Sequence, residues 1–322
     1  MMIWPLRKLP RYEFGSDDIK SAIVHHKYVY IAYADGMGTQ LSFLDFILSR
    51  LYRFDHITIL FDIRKSDYFS FYNDGFDQDQ FNQIIQFNSA RVVSDIQKID
   101  QILEGEPEKV FSIAFYQHPF METYLKEKNV KTLPWDELAR LRRGFRPFDS
   151  LLRPGSKLTK SLERETHKAD QKLGVHARLG NGEKLYRSED HNSSRLAEEF
   201  IERLDRESGQ MFLCTDTLSF LEECIKRYGS RVLHTERFMF PEGCGPGHSV
   251  LGCLPEQKRM VLHNKRKELG PYQLIHDAFL EIFLLGLCQR IIGNTSQFSY
   301  YARVSRGVPF IDITQKRGLN IF

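Results

Sequence analysis

The chain has 322 residues, 42% of them hydrophobic, with 45 basic against 42 acidic side chains and a formal net charge of +3. That length points to two domains, and that apolar content supports packed cores and excludes a disordered chain. Near-balance of charge argues against nucleic acid as a partner, because such binders concentrate a strong basic excess in one place, whereas the basic runs here are local, as at Arg140 to Arg146 and Lys265-Arg266-Lys267.

The first twenty residues mix charges with prolines and hold no long apolar stretch, so no secretory signal is expected and the cytoplasm is the expected location. Tyr28 to Tyr33 reads as a buried strand, Leu41 to Arg53 as a helix, and His56 to Phe61 as a second strand. The spacing predicts a helical region from Gln80 to Leu103, then a strand from Val110 to Tyr116. Short apolar runs separated by helices are the pattern of βαβ units and parallel sheets. Charge, Pro and Gly collect between Arg140 and Gly155, which places a domain boundary there. The expected domains are residues 1–150 and 151–322.

Alternation then resumes. Lys157 to Lys172 reads as an amphipathic helix, Leu173 to Arg178 as a strand, Ser193 to Glu207 as a helix and Met211 to Thr215 as a strand. Helix Leu218 to Tyr228 and strand Arg231 to His234 precede a Gly/Pro-rich loop from Phe238 to Leu254. Helix Tyr272 to Leu287, strand Arg290 to Gly293, a helix from Gln297 and strand Val308 to Ile313 close the chain. The longest apolar run, Ala278 to Cys288, contains Glu281 and falls far short of the roughly 20 residues that span a bilayer, so a buried helix and no transmembrane segment are expected. The five cysteines are odd in number and show no CxxC spacing, which favours buried reduced thiols over a zinc site. Two successive α/β units of similar size fit two Rossmann-like domains, in which ligands sit at the carboxyl ends of the strands.

Several segments carry residues suited to chemistry. Gly36 and Gly38, in Asp35-Gly36-Met37-Gly38, follow the first strand; they are either a tight strand-to-helix turn or a close approach to an anion at a helix N-terminus. His176 and Arg178 are two apart on one strand and project the same way, toward the turn Gly180-Asn181-Gly182-Glu183. A guanidinium beside a glycine-rich turn is a natural bidentate clamp for a diphosphate; an ordinary salt bridge is the alternative. Asp216 ends an apolar strand, where it would bind ribose hydroxyls or a base edge, or simply cap the next helix. His248 lies in the Gly/Pro-rich loop, and Asn294-Thr295-Ser296-Gln297 follows a strand as a phosphate contact or a helix cap. Asp77-Gln78-Asp79 matches the DxD pattern of metal-dependent transferases but lacks a preceding apolar strand, and a solvated turn is the better reading. His25-His26 has no partner at metal-ligand spacing, so no metal is expected.

At these segments the chain resembles the bacterial nodulation protein Z fucosyltransferases and, more distantly, the animal core α-1,6-fucosyltransferase. The motifs recur in the same order: Gly36-Met37-Gly38, Leu152-Arg153-Pro154, the stretch Gly174 to Glu183, Phe212 to Asp216, Gly245-Pro246-Gly247-His248-Ser249, and Glu281 to Cys288 leading to Ser296 and Ala302-Arg303. The stretch Gly174 to Glu183 is the most specific. The animal enzyme carries a second Arg where this chain has Leu179.

The resemblance implies a GT-B architecture, with the N-terminal domain binding the acceptor and the C-terminal domain the donor across a cleft. It implies transfer of L-fucose from GDP-β-L-fucose to a glycan hydroxyl of an oligosaccharide or glycolipid, with α-1,6 as the linkage the family suggests, with inversion and without metal or other cofactor. Arg178 would bind the β-phosphate, His176 would lie against the nucleotide, and Asp216 and Glu281 would help hold guanine or ribose. Asn181, Ser296 and Gln297 would sit near the donor, with Gly36 and Gly38 facing it. For the general base Glu183 comes first, then Asp190 and His248. The rivals are the same fold with another GDP-sugar, such as GDP-mannose, and a nucleotide-sugar-binding protein without turnover.

Overall fold

The computed structural model of the chain describes residues 26–31, 44, 56–63, 77–87, 91–113, 152–180, 193–240, 256–294, 297–299, 302 and 306–313. In the first half these residues form β1 (Tyr28–Ile31), β2 (Thr58–Phe61), α1 (Gln78–Ile84), β3 (Ile85–Phe87), β4 (Val92–Val93), α2 (Ile96–Gly105) and β5 (Val110–Ile113). In the second half they form β6 (Leu152–Pro154), α3 (Ser156–Glu165), β7 (Leu173–Ala177), α4 (Ser193–Leu204), β8 (Met211–Thr215), α5 (Leu218–Tyr228), β9 (Val232–Leu233), α6 (Glu256–Leu285), β10 (Arg290–Gly293) and β11 (Phe310–Asp312).

Two parallel sheets result, one in each half, as the alternation predicts. The first runs β4-β2-β1-β5 and the second β11-β10-β7-β8-β9. In both sheets the chain winds outward from its first strand in one direction and then returns to that strand's other side. The order therefore reverses beside β1 and beside β7, and in open α/β sheets ligands bind outside the carboxyl ends of the strands at such a reversal.

The second sheet is buried on both faces, which is why its strands read as unbroken apolar runs. Leu173, Val175 and Ala177 of β7 join Met211, Leu213 and Ile292 in one cluster with Phe200, Ile201 and Leu204 of α4 and Phe220, Leu221 and Cys224 of α5. The opposite face, through Phe212, Cys214 and Ile291, packs with Ile275, Phe279, Ile282 and Leu285 of α6. α6 is interrupted at Gly270, whose φ of 72° and ψ of 154° are not helical. Its second segment is the helix expected from Tyr272 onward.

The predicted helical region from Gln80 to Leu103 is divided. Asp77 caps α1, its Oδ1 accepting from the Asp79 and Gln80 N–H groups at 2.9 and 3.1 Å, and these bonds hold its carboxyl below the usual carboxylate range. After one short helix, Ile85–Phe87 turns extended to pair antiparallel with β6, and the β-branched pair Val92–Val93 extends the first sheet. Asp95 then caps α2 by accepting from the Lys98 N–H at 2.9 Å. Tertiary pairing overrides helical spacing here because the strands gain ladder partners on both sides of the break.

The halves are tied by α3, which lies against both α1 and α6. Buried His276 of α6 reaches Ser161 of α3 through Nε2 at 3.0 Å and Asp277 through Nδ1 at 3.1 Å. The Tyr272 hydroxyl donates to the Asp77 carbonyl at 3.0 Å. Three of the five cysteines, Cys214, Cys224 and Cys288, are buried free thiols. Burial pushes Cys224 and Cys288 up to about 12, and burial together with the Glu281 carboxylate pushes Cys214 well above its ordinary value. These three are expected to resist iodoacetamide at pH 8 in the native protein and to react once it is unfolded, as mass spectrometry of the modified peptides would show.

At Gly155 the backbones of the two halves come close together. A Cβ there would fall on the backbone of Asn82 and Gln83, while the Gly155 N–H donates to the Ile84 carbonyl at 2.8 Å. Gly155→Ala is expected to cost about 1–3 kcal/mol in urea unfolding, the range for overpacking. Gly105→Ala, at the end of α2 with open space around it, is expected to be neutral or slightly stabilising.

Candidate functional site

The residues that follow β10, β7 and β8 are Asn294, Arg178 and Asp216. Parallel pairing sets Gly293 beside His176 and Ala177 beside Thr215, so the three lie in a row at the carboxyl edge of the second sheet. The row sits at the order reversal, with β7 at its centre.

Arg178 is held from both sides. The Asn294 amide takes the place of a strand partner: its Oδ1 accepts from the Arg178 N–H at 2.9 Å, and its Nδ2 donates to the Arg178 carbonyl at 2.6 Å. On the other side Asp216 Oδ1 accepts from the Leu179 N–H at 2.9 Å and Oδ2 from the Gly180 N–H at 2.8 Å. The Arg178 guanidinium donates through Nη1 to the same Oδ2. Thr217 adds its hydroxyl to Oδ1 at 3.2 Å, and the Thr215 hydroxyl donates to the Ala177 carbonyl at 2.8 Å. Gly180 has φ of 74°, the left-handed region that a glycine enters without steric cost, so the chain turns immediately after the two N–H groups that meet one carboxylate.

Magnitudes separate the roles of these bonds. The Arg178 side chain is 44% exposed and that of Asp216 19%. A half-exposed ion pair contributes about 0–1 kcal/mol, whereas hydrogen bonds to a charged acceptor contribute about 1.5–3 kcal/mol each. Asp216 thus secures the turn chiefly through the two backbone N–H groups, and the guanidinium is a half-open cation laid against it. Asp216 does not cap α5, whose N-cap is Thr217 without a side-chain bond. The salt bridge weighed against a diphosphate clamp is present, but it links neighbouring strands of one sheet.

His176, within β7 two residues before Arg178, is buried and stacks on Phe298, with ring centroids 5.3 Å apart and planes 14° from parallel. Phe298 belongs to the turn Gln297–Ser299, where the helix expected from Gln297 begins; apart from Ala302 the next residues, up to 305, lie outside the described residues. Glu281 is buried in the apolar face of α6. Its Oε1 accepts from the Thr235 hydroxyl at 2.7 Å and from Arg237 Nε at 2.6 Å, and Arg237 Nη2 donates to the carbonyl of Thr215. Arg237 therefore bridges α6 to the end of β8, next to Asp216. Gly36, Gly38, Asn181, Glu183, Asp190, His248 and Ser296 lie outside the described residues.

Arg237 and Asn294 are the residues that sequence reasoning undervalued. A signal for Arg237 existed: a carboxylate within the longest apolar run requires a buried cation, and Arg237 is one of the few basic residues near the end of a short strand. For Asn294 no local pattern distinguishes a strand-end clamp from a helix cap.

No family model and no curated protein matches the chain. Among solved structures, one of NodZ alpha-1,6-fucosyltransferase soaked with GDP-fucose is similar, at 17% identity and a TM-score of 0.49 over 89% of this chain and 94% of that one. The enzyme co-crystallised with GDP gives 18% and 0.48, and selenomethionine fucosyltransferase NodZ from Bradyrhizobium gives 17% and 0.48, with the same coverage.

Arg237→Ala would strand the Glu281 carboxylate in an apolar helix face and is expected to cost about 3–5 kcal/mol in urea unfolding. Arg237→Met combined with Glu281→Leu is expected to cost much less, because the apolar pair removes the desolvation penalty along with the attraction.

Proposed function

We propose that the chain is a glycosyltransferase that takes its sugar from a GDP-linked donor, GDP-β-L-fucose first among them, and passes it to a glycan hydroxyl. The observation that carries this is the position of Arg178: a half-exposed guanidinium, backbone-locked, at the carboxyl end of the central strand where the order of the sheet reverses. Its surrounding residues, Gly174 to Glu183, are also those on which the fucosyltransferase resemblance is most specific.

In this scheme residues 151–322 bind the donor and residues 1–150 the acceptor, in a GT-B arrangement working in the cytoplasm. Among the described residues no helix is long and apolar enough to cross a membrane. As the bond from sugar to GDP breaks, negative charge develops on the β-phosphate oxygen. Arg178, fixed before reaction, stabilises that charge without reorganisation and fills the part a metal ion plays in other transferases. The acceptor hydroxyl attacks the opposite face of the sugar, inverting it, and gives its proton to a base, for which Glu183 is the first candidate and His248 another. His176 takes the nucleotide side in this scheme, on the resemblance. Ser296 and Gln297 are taken, on the resemblance, as further contacts for the phosphates.

Arg178→Ala is expected to lower turnover by about a hundredfold or more, the effect of losing a preorganised charge-stabilising donor. Arg178→Lys is expected to fall in the same range, since an ammonium cannot reproduce the planar fork of a guanidinium. Sugar transfer from GDP-fucose to a panel of glycan acceptors, read by mass spectrometry, measures both. Near-normal turnover in either variant contradicts the assignment, and calorimetric binding of UDP but not GDP contradicts the donor class.

A further inference from the structure

The resemblance gives Asp216 to the guanine or ribose. Its surroundings point elsewhere. Both carboxylate oxygens are engaged by the protein itself: Oδ1 by the Leu179 N–H at 2.9 Å and the Thr217 hydroxyl at 3.2 Å, Oδ2 by the Gly180 N–H at 2.8 Å and by Arg178 Nη1. A carboxylate has about four lone-pair positions, and four donors already converge on these. A ribose hydroxyl or base edge would have to displace one of these four donors.

We propose that Asp216 is a positioning residue for Arg178 and not a contact for the nucleoside. This rests on the nucleotide-sugar reading above and deepens it. Asp216 fixes one edge of the guanidinium through Nη1 and holds the backbone of residues 179–180 in the left-handed turn at Gly180. Asn294 immobilises the Arg178 peptide from the opposite strand. With backbone and guanidinium both fixed, the exposed part of the side chain is presented to an anion in a single orientation, and little rotamer freedom remains to be lost on binding.

The two roles are separated by binding of ligand fragments to the full chain. Asp216→Asn preserves the shape of the side chain and an acceptor for the Leu179 N–H, but places an NH2 group against Gly180 N–H and Arg178 Nη1. Calorimetry is run with inorganic pyrophosphate, GDP and guanosine. Asp216→Asn is expected to weaken pyrophosphate and GDP by a common factor of about ten, the scale of one lost charge-assisted bond, and to leave guanosine unchanged. In an Arg178→Ala background the same substitution is expected to have no further effect on pyrophosphate, because Asp216 acts through Arg178. Weakened guanosine with unchanged pyrophosphate would make Asp216 a nucleoside contact and overturn the inference. Tighter pyrophosphate binding would make it a competing anion and overturn it too, as would an undiminished effect without Arg178. If the unmodified protein binds neither pyrophosphate nor GDP, the nucleotide-sugar reading falls and takes this inference with it.

Discussion

The structure around the site depends on one constraint: the peptide of Arg178 is clamped between two side chains that extend the neighbouring strands. Backbone ladders end where strands diverge, and the first residue past a strand normally loses its partners to solvent. Here the Asn294 amide supplies on one side the donor and acceptor that β10 no longer provides, while Asp216 gathers the next two N–H groups on the other. β7 is in effect prolonged through Arg178 without a further residue of sheet. A side chain mounted on such a backbone has its Cα fixed to the precision of the sheet, which electrostatic preorganisation requires and a loop does not supply.

Layers behind this edge keep it in place. Arg237 joins Glu281 in α6 to the Thr215 carbonyl, so the helix packed on one face of the sheet is bound to the strand end that carries Asp216. The pair is well buried, with side-chain exposures of 18% and 5%. A buried ion pair contributes little net stability once desolvation is counted, and retaining one is most easily understood as fixing geometry. α6 reaches the first half through α3 and Tyr272. The strand ends of the second sheet and the packing between the halves thus share one helix.

Much of this was legible in the sequence, for physical reasons that differ by residue. Strands buried on both faces announce themselves as apolar runs, so β7, β8 and β10 were placed within a residue or two, and the strand-to-turn position of Arg178 followed. The helical region expected over Gln80 to Leu103 is split because Ile85–Phe87 finds its partner in β6, 67 residues away in the Arg153–Gln86 pair, and no local period reports so distant a ladder. The engagement of Asp216 was hidden for a related reason. By pattern a terminal Asp favours a helix cap over a ribose contact, and only the register of β7 against β8 brings it to the turn after β7 instead. Glu281 was recognisable as anomalous within its apolar run, while its partner lay in an irregular segment that carries no periodicity.

The central claim is that Arg178 is built to receive the diphosphate of a GDP-sugar. A crystal structure of the protein with GDP tests it most directly. The account predicts a β-phosphate oxygen within hydrogen-bonding distance of the Arg178 guanidinium, at the carboxyl ends of β7, β8 and β10, with the Asn294 and Asp216 bonds to residues 178–180 intact. GDP bound away from that edge, or bound there with Arg178 turned from the phosphates, would contradict it.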